Sequence, residues 1–219
     1  MNLSKYQVAV FDCDGVILDS NKVKSDAFAL ALAGENPELV SRFVEYHQLN
    51  GGISRYVKFE YFFKVLKKQD DYQDDLDQVL KRYGELSLNG LLECSELPHI
   101  RGLLEYFKSN NVLCFVASGG AQDEVRKILK FKGLSQYFAG IYGSPKSKID
   151  NLSELESLGE LSEPGIYFGD AHSDLVAASA FNMDFVFVSS VSEWEAGKSI
   201  CTKHNIPVID DYSKLLEVS

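Results

Sequence analysis

Four short runs in this sequence hold residue types that could do chemistry together. They are Asp12-Cys13-Asp14-Gly15, Ser118-Gly119-Gly120, Gly143-Ser144-Pro145-Lys146-Ser147-Lys148, and Gly169-Asp170 with Asp174 four residues on. Each follows a run that reads as a buried strand, so a single sheet could bring all four to one edge. Together they supply four carboxylates, one hydroxyl beside glycine amides, and one or two lysines. Two carboxylates ~4 Å apart repel by about 4 kcal/mol at an effective dielectric near 20, so such a cluster requires a cation. The ligands on offer are hard oxygens with no His or Cys among them, which selects magnesium (Mg2+) over zinc or copper. A lysine and the Ser118 hydroxyl would then face an incoming anion. A hard cation set against separate anion donors suits phosphoryl transfer, where positioning and charge stabilisation do most of the catalysis.

Each run also has a plainer reading. Asp and Gly favour turns, so Asp12 to Gly15 alone would pass as a turn after a strand. It is not a calcium loop: Gly15 sits at the wrong offset, Val16-Ile17-Leu18 occupies ligand positions, and no Glu stands twelfth. Ser118-Gly119-Gly120 would pass as a strand-to-helix turn, although amides at a helix start bind phosphate in any case. It does not fit G-x-S-x-G, and no Ser-His-Asp set accompanies it. Asp174 could cap a nearby helix, and His172 reads as a surface loop or a substrate contact. The occurrence of all four runs in register outweighs these readings.

The elements that must position these runs alternate along the chain, the pattern of an α/β protein. Tyr6–Phe11 (YQVAVF) reads as a buried parallel strand ending at Asp12. Four helices are then predicted near 21–33, 36–48, 54–68 and 72–89, separated by Gly34, Gly51-Gly52 and the acidic stretch at Asp70-Asp71. From Pro98 onward the units alternate: helix 99–109, strand Val112–Ala117, helix 122–132, strand Gly140–Tyr142, helix 148–160, strand Ile166–Phe168, helix Ser173–Phe181, strand Asp184–Val188, helix 193–203, strand Pro207–Ile209 and a last turn of helix at 212–217. The expected architecture is a doubly wound parallel sheet with an inserted α-helical domain. Right-handed crossovers put all the carboxyl ends of the strands on one edge, where ligands bind.

In order, DCDGVILDS, VASGG, GSPKSK and GDAHSD resemble the four motifs of the haloacid dehalogenase-like (HAD) superfamily, and the resemblance spans essentially the whole chain. The helical insertion resembles the helical cap of phosphoglycolate phosphatase- and β-phosphoglucomutase-like members. This implies a HAD-like Rossmannoid core at 1–18 and 93–219 and a cap domain at 19–92. It also implies a magnesium-dependent phosphatase acting on a small phosphate monoester through an aspartyl phosphate. By motif position Asp12 is the nucleophile and Asp14 the general acid/base, a role worth about 10²–10⁴ in rate. Ser118 with Gly119 holds a phosphate oxygen. Lys148 or Lys146 balances charge, the family spacing favouring Lys148. Asp170 and Asp174 bind or orient Mg2+, helped by Asp12 and the Asp14 carbonyl. Crowding by carboxylates is expected to raise the pKa of Asp14.

The segment Gly51-Gly52-Ile53-Ser54-Arg55 resembles a cap loop of β-phosphoglucomutase-like members, in which an arginine reaches the substrate's far end. That makes Arg55 a candidate substrate-binding residue, with Lys58 one turn later on the same face; a solvated basic helix face is the plainer reading. The aromatic run Phe59, Tyr61, Phe62, Phe63 reads as cap core. Three other activities are weighed. A sugar phosphomutase is the alternative, although Lys24 stands where those mutases carry a cap histidine. Dehalogenation has no use for Asp14 or a metal. Phosphonate hydrolysis needs an imine-forming cap lysine, and Lys22 and Lys24 sit in no such motif. A catalytically dead binding module would lack one of the candidate residues, and none is lacking.

A net charge of −10 argues against a nucleic-acid surface. No apolar run approaches the roughly 20 residues needed to cross a bilayer, so no membrane partner is expected. The first residues lack the parts of a secretory signal. The four cysteines, Cys13, Cys94, Cys114 and Cys201, lack metal-type spacing and read as free thiols in a reducing cytoplasm.

Overall fold

The computed structural model describes residues 1–161 and 164–216. Six parallel strands form one sheet in the order β3-β2-β1-β4-β5-β6. They are β1 (Val8–Phe11), β2 (Leu113–Ala121), β3 (Gly140–Ser144), β4 (Gly165–Gly169), β5 (Asp184–Val188) and β6 (Val208–Ile209). The order reverses at β1, which is flanked by β2 on one side and β4 on the other. All four β1 residues are buried, because the strand is covered on both faces. One face meets a core built around Phe11, Leu104, Phe107 and Phe168. The other meets Val10, Phe115, Leu152, Tyr167 and Phe187.

Ten α-helices are described. Six accompany the sheet: α5 (Ile100–Ser109), α6 (Gln122–Phe131), α7 (Lys148–Ser157), α8 (His172–Ala180), α9 (Gly197–Lys203) and α10 (Ser213–Leu216). Glu217, expected in the last of these, lies outside the described residues. The other four, α1 (Asn21–Ala31), α2 (Pro37–Leu49), α3 (Arg55–Tyr61) and α4 (Gln73–Glu93), follow β1 and form a second layer. Their local signals are clear at α2, where Asn36 accepts from the Glu38 amide at 2.8 Å and Pro37 stands at the first helical position.

Two departures from the sequence reading matter. The single helix expected over 54–68 is α3 followed by a π-helical stretch, Phe62–Lys67, closed by Lys68 in the left-handed region. Phe62 and Phe63, adjacent in sequence, both end fully buried there. Strand β2 continues past Ala117 to Ala121, and its pairing with β3 shifts register between those residues. Ser118-Gly119-Gly120 therefore lies in a bulge inside a strand, not in the turn after one.

The helical layer has its own core, where Phe28, Phe43, Phe59, Phe62 and Tyr83 meet. Phe43 packs edge-on against Phe28 and Phe62 and stacks on Phe59 at 5.3 Å. The chain enters and leaves this layer through two segments lying side by side: Asp19 donates to Ser95 O at 2.9 Å and Leu97 to Ile17 O at 2.9 Å. Since this core shares little with the sheet, Phe43→Ala is expected to destabilise the protein by about 3–5 kcal/mol in urea unfolding. A loss under about 1 kcal/mol would show that the aromatic cluster does not hold the layer together.

Candidate active site at the carboxyl edge of the sheet

Asp12 is the first residue after β1, its amide bonded to Phe168 O at 3.0 Å, and it is 2% exposed. The chain then turns back tightly, with Gly15 N donating to Leu18 O at 2.8 Å. Gly15 has φ +71°, and a Cβ on it would collide with the Asp170 carboxylate. Only glycine allows this loop to lie against that acid. Asp170 follows β4, and Asp174 opens α8, where its Oδ2 accepts from the amides of Asp170 (3.2 Å) and Ala171 (3.1 Å). The sequence posed helix cap and metal-site residue as alternatives for Asp174. The structure places it in the cluster while it caps the helix.

Lys148 reaches the cluster because α7 begins where it does. A capping box between Ser147 and Asp150 fixes the helix start and sets Lys148 at its first position. The Lys148 ammonium lies 2.8 Å from Asp12 Oδ2 and 2.5 Å from Asp174 Oδ1, which also accepts from the Tyr167 hydroxyl at 3.0 Å. Lys146 does not join them. Half exposed, this alternative to Lys148 and second substrate-binding candidate pairs with Glu154 at 2.7 Å on the outside of the helix. Ser118 is fully buried and its Oγ accepts from the Gly120 amide at 3.0 Å, leaving its hydroxyl hydrogen to donate elsewhere.

The carboxyl oxygens of Asp12, Asp170 and Asp174 lie within 4.8 Å of one another, all buried. One ammonium stands against these three acids. Burial lifts the Asp12 pKa to about 7; Lys148 opposes the rise, while Asp174 and Asp14 add to it. Asp170 is pushed well above the carboxylate range by burial and then by Asp12 and Asp174. The Asn21 amide, at 2.6 Å, is the one side-chain donor recorded on it among the described residues. A buried acid cluster with this excess of negative charge fits a divalent cation. Asp12 and Asp170 have oxygens to give one. The Asp174 oxygens together take four donors, Lys148 among them.

Asp14 departs from expectation. Its carboxylate is ion-paired with Lys24 and accepts from Ser20 Oγ at 2.6 Å. Burial alone would raise its pKa, but Lys24 and Ser20 together hold it below the usual value. The crowding argument failed because α1 brings Lys24 over the site.

The helical layer closes the site. Ser173 Oγ donates to Gly51 O at 2.9 Å, and the Gly52 carbonyl sits so close to Gly119 that any Cβ there would collide with it. What remains is a cavity of about 60 Å³, bordered by Asp12, Asp170 and Gly119 below and by Lys24, Arg55 and Lys58 above. Arg55 is buried beside it, but its guanidinium is taken by Glu124 of α6, with Nη1 at 2.9 Å from Oε1, and lies 4.4 Å over the Tyr83 ring. Sequence reasoning missed Asn21, Glu124, Tyr167 and Glu193. None stands in a motif, and only the fold brings them near.

The chain matches the model of the haloacid dehalogenase-like hydrolases over residues 9–188 and belongs to that family. Members typically use a divalent metal ion. The phosphoglycolate phosphatase of Aquifex aeolicus (strain VF5) is 29% identical over 183 residues, 78% of this chain and 79% of that one. Among solved structures, a predicted phosphoglycolate phosphatase from Haemophilus somnus 129PT superposes with TM-score 0.77 at 16% identity, covering 99% of both chains. A β-phosphoglucomutase from Clostridium difficile gives 0.73 at 21% identity, over 96% of this chain and 93% of that one. At these identities the two structures show a shared fold.

Removing the one cation from the cluster leaves buried acids unpaired. In chelator-treated protein, Lys148→Met is expected to lower stability to urea by about 3–5 kcal/mol. A loss under about 1 kcal/mol would show that Lys148 does not hold the cluster together.

Proposed function

We propose that this protein is a magnesium-dependent phosphatase that hydrolyses a small phosphate monoester through a phosphoryl group carried on Asp12. The observation that carries the reading is Asp12 itself: a buried carboxylate at the end of the central strand, 2.8 Å from Lys148 and within 4.8 Å of two further acids. The likeness to a phosphatase of the same family supports the activity.

Asp12 and Asp170, with the Asp14 carbonyl, would hold Mg2+, which when bound offsets the cluster's charge and that of the phosphoryl oxygens. Lys148 holds Asp12 in place and balances its charge. An Asp12 oxygen attacks phosphorus, the bond to the leaving oxygen breaks, and the phosphoryl group passes to Asp12. The Ser118 hydroxyl and Gly119 amide hold the phosphoryl oxygens meanwhile. Water then attacks phosphorus while Asp14, ionised beside Lys24, takes its proton; the bond from phosphorus to the Asp12 oxygen breaks, freeing inorganic phosphate and the Asp12 carboxylate. Donating a proton to the leaving oxygen in the first half requires Lys24 to draw back, as a residue of a moving cap can when substrate enters. The domain division at 18/19 and 92/93 follows the same reading, with the paired segments at 17–19 and 95–97 as the hinge.

A mutase would use the same aspartates but return the phosphoryl group to sugar. Lys24, seated on Asp14, replaces the histidine expected of that chemistry.

Phosphate release from p-nitrophenyl phosphate and a panel of small phosphate esters tests the reading. Release is expected in Mg2+, is lost with chelator, and falls on the order of 10³-fold or more in Asp12→Asn. Turnover at the wild-type rate in Asp12→Asn would overturn it.

A further inference from the structure

Four cations lie buried around the cavity or on its floor, and three have carboxylate partners. Lys24 has Asp14, Arg55 has Glu124, and Lys148 has Asp12 and Asp174. Lys58 has none: it is 2% exposed, and among the described residues no carboxylate oxygen lies within 4.0 Å of its nitrogen. Its contacts are His47 Nδ1 at 2.7 Å, the His47 carbonyl at 3.3 Å and the face of the Phe28 ring at 5.4 Å. An ammonium has three N–H donors and two are accounted for, so one remains beside the cavity. A buried cation without a counter-ion is costly unless an anion arrives to pair it.

Lys58 is also held with more care than packing needs. His47 is kept neutral, its pKa lowered to about 2 by burial and by Lys58 and Lys24. Its Nδ1 lone pair faces the ammonium, so Nε2 carries the proton and donates to Ser25 Oγ at 3.0 Å. Ser25 in turn donates to Glu193 Oε1 at 2.8 Å. This chain runs from α3 through α2 and α1 to the loop after β5. Its last link, from Ser25 to Glu193, ties this helical-layer network to the sheet domain.

We propose that Lys58 is the specificity-determining residue of this site, receiving a second anionic group at the end of the substrate remote from the ester phosphate. The proposal rests on the phosphatase reading above. It assigns to Lys58 the far-end contact for which Arg55 was the sequence candidate, since the Arg55 fork is filled by Glu124. His47 is a positioning residue that acts through Lys58. Burial, with Lys24 adding to it, brings the Lys58 pKa down to about 7, while Glu193 and Asp14 oppose the fall. A bound anion would favour its charged form.

Three small esters test this: phosphoglycolate, ethane-1,2-diol bisphosphate and 2-hydroxyethyl phosphate, which carry a carboxylate, a second phosphate and a neutral hydroxyl at the far end. Wild-type kcat/KM is expected to favour at least one anionic ester over the neutral one by tenfold or more, the worth of a charge-assisted hydrogen bond. The favoured arm tells a carboxylate from a second phosphate. In Lys58→Met that preference should collapse through KM, and Lys58→Arg should retain part of it. Absence of a wild-type preference overturns the proposal even if neither variant folds. So does an equal loss on all three esters in Lys58→Met, which would mark a structural lysine. Failure of the phosphatase reading looks different: no phosphate from any ester, p-nitrophenyl phosphate included.

Discussion

Three carboxylates buried within 4.8 Å of one another, with one ammonium among them, form an arrangement that a folded chain does not keep without compensation. Coulomb repulsion in a poorly solvated site works against it, and desolvation adds to the cost. Much of the molecule serves to hold it. The sheet reverses order at β1, so Asp12 emerges between the ends of β2 and β4. Gly15 lets the loop lie on Asp170, and the capping box of α7 aims Lys148 inward. Tyr167 and the amides at the start of α8 saturate Asp174. The charge left over is what a divalent cation would take up, and the attack on phosphorus proposed for Asp12 would depend on that balance.

The helical layer adds the opposite sign. Lys24, Arg55 and Lys58 line the roof while carboxylates make the floor, so an overall acidic protein presents a cationic lid to its substrate. The lid is tied down at separate points: Arg55 to Glu124, Lys24 to Asp14, Ser25 to Glu193 and Ser173 to Gly51. Such polar ties can be exchanged for contacts with substrate.

The parts of this that were legible in the sequence are those with local or motif-scale causes. Apolar runs gave β1, β4 and β5 because a parallel strand covered on both faces must be apolar throughout. The aspartates and Lys148 stood at strand and helix ends, so their convergence followed once the sheet was assumed parallel. What could not be read depends on contacts between distant segments. Lys24 was visible only as a departure from the mutase and phosphonate-hydrolase patterns; its effect on Asp14 comes from the angle at which α1 crosses the site. Lys146 and Lys148 are two residues apart, and only the start of α7 separates the one facing solvent from the one on Asp12. Arg55 looked free because its partner Glu124 lies 69 residues on. The bulge in β2 and the π-helical turn after α3 left no periodic signal, because each is a local break in the period that sequence reading uses.

Asp12 as nucleophile is the claim on which the account turns, and the covalent state tests it most directly. Protein quenched in acid during turnover of a phosphate ester, reduced with borohydride and analysed by peptide mass spectrometry, should carry homoserine at position 12, the reduction product of an aspartyl phosphate. A phosphoryl label on any other residue, or brisk turnover with Asp12 never modified, would contradict it.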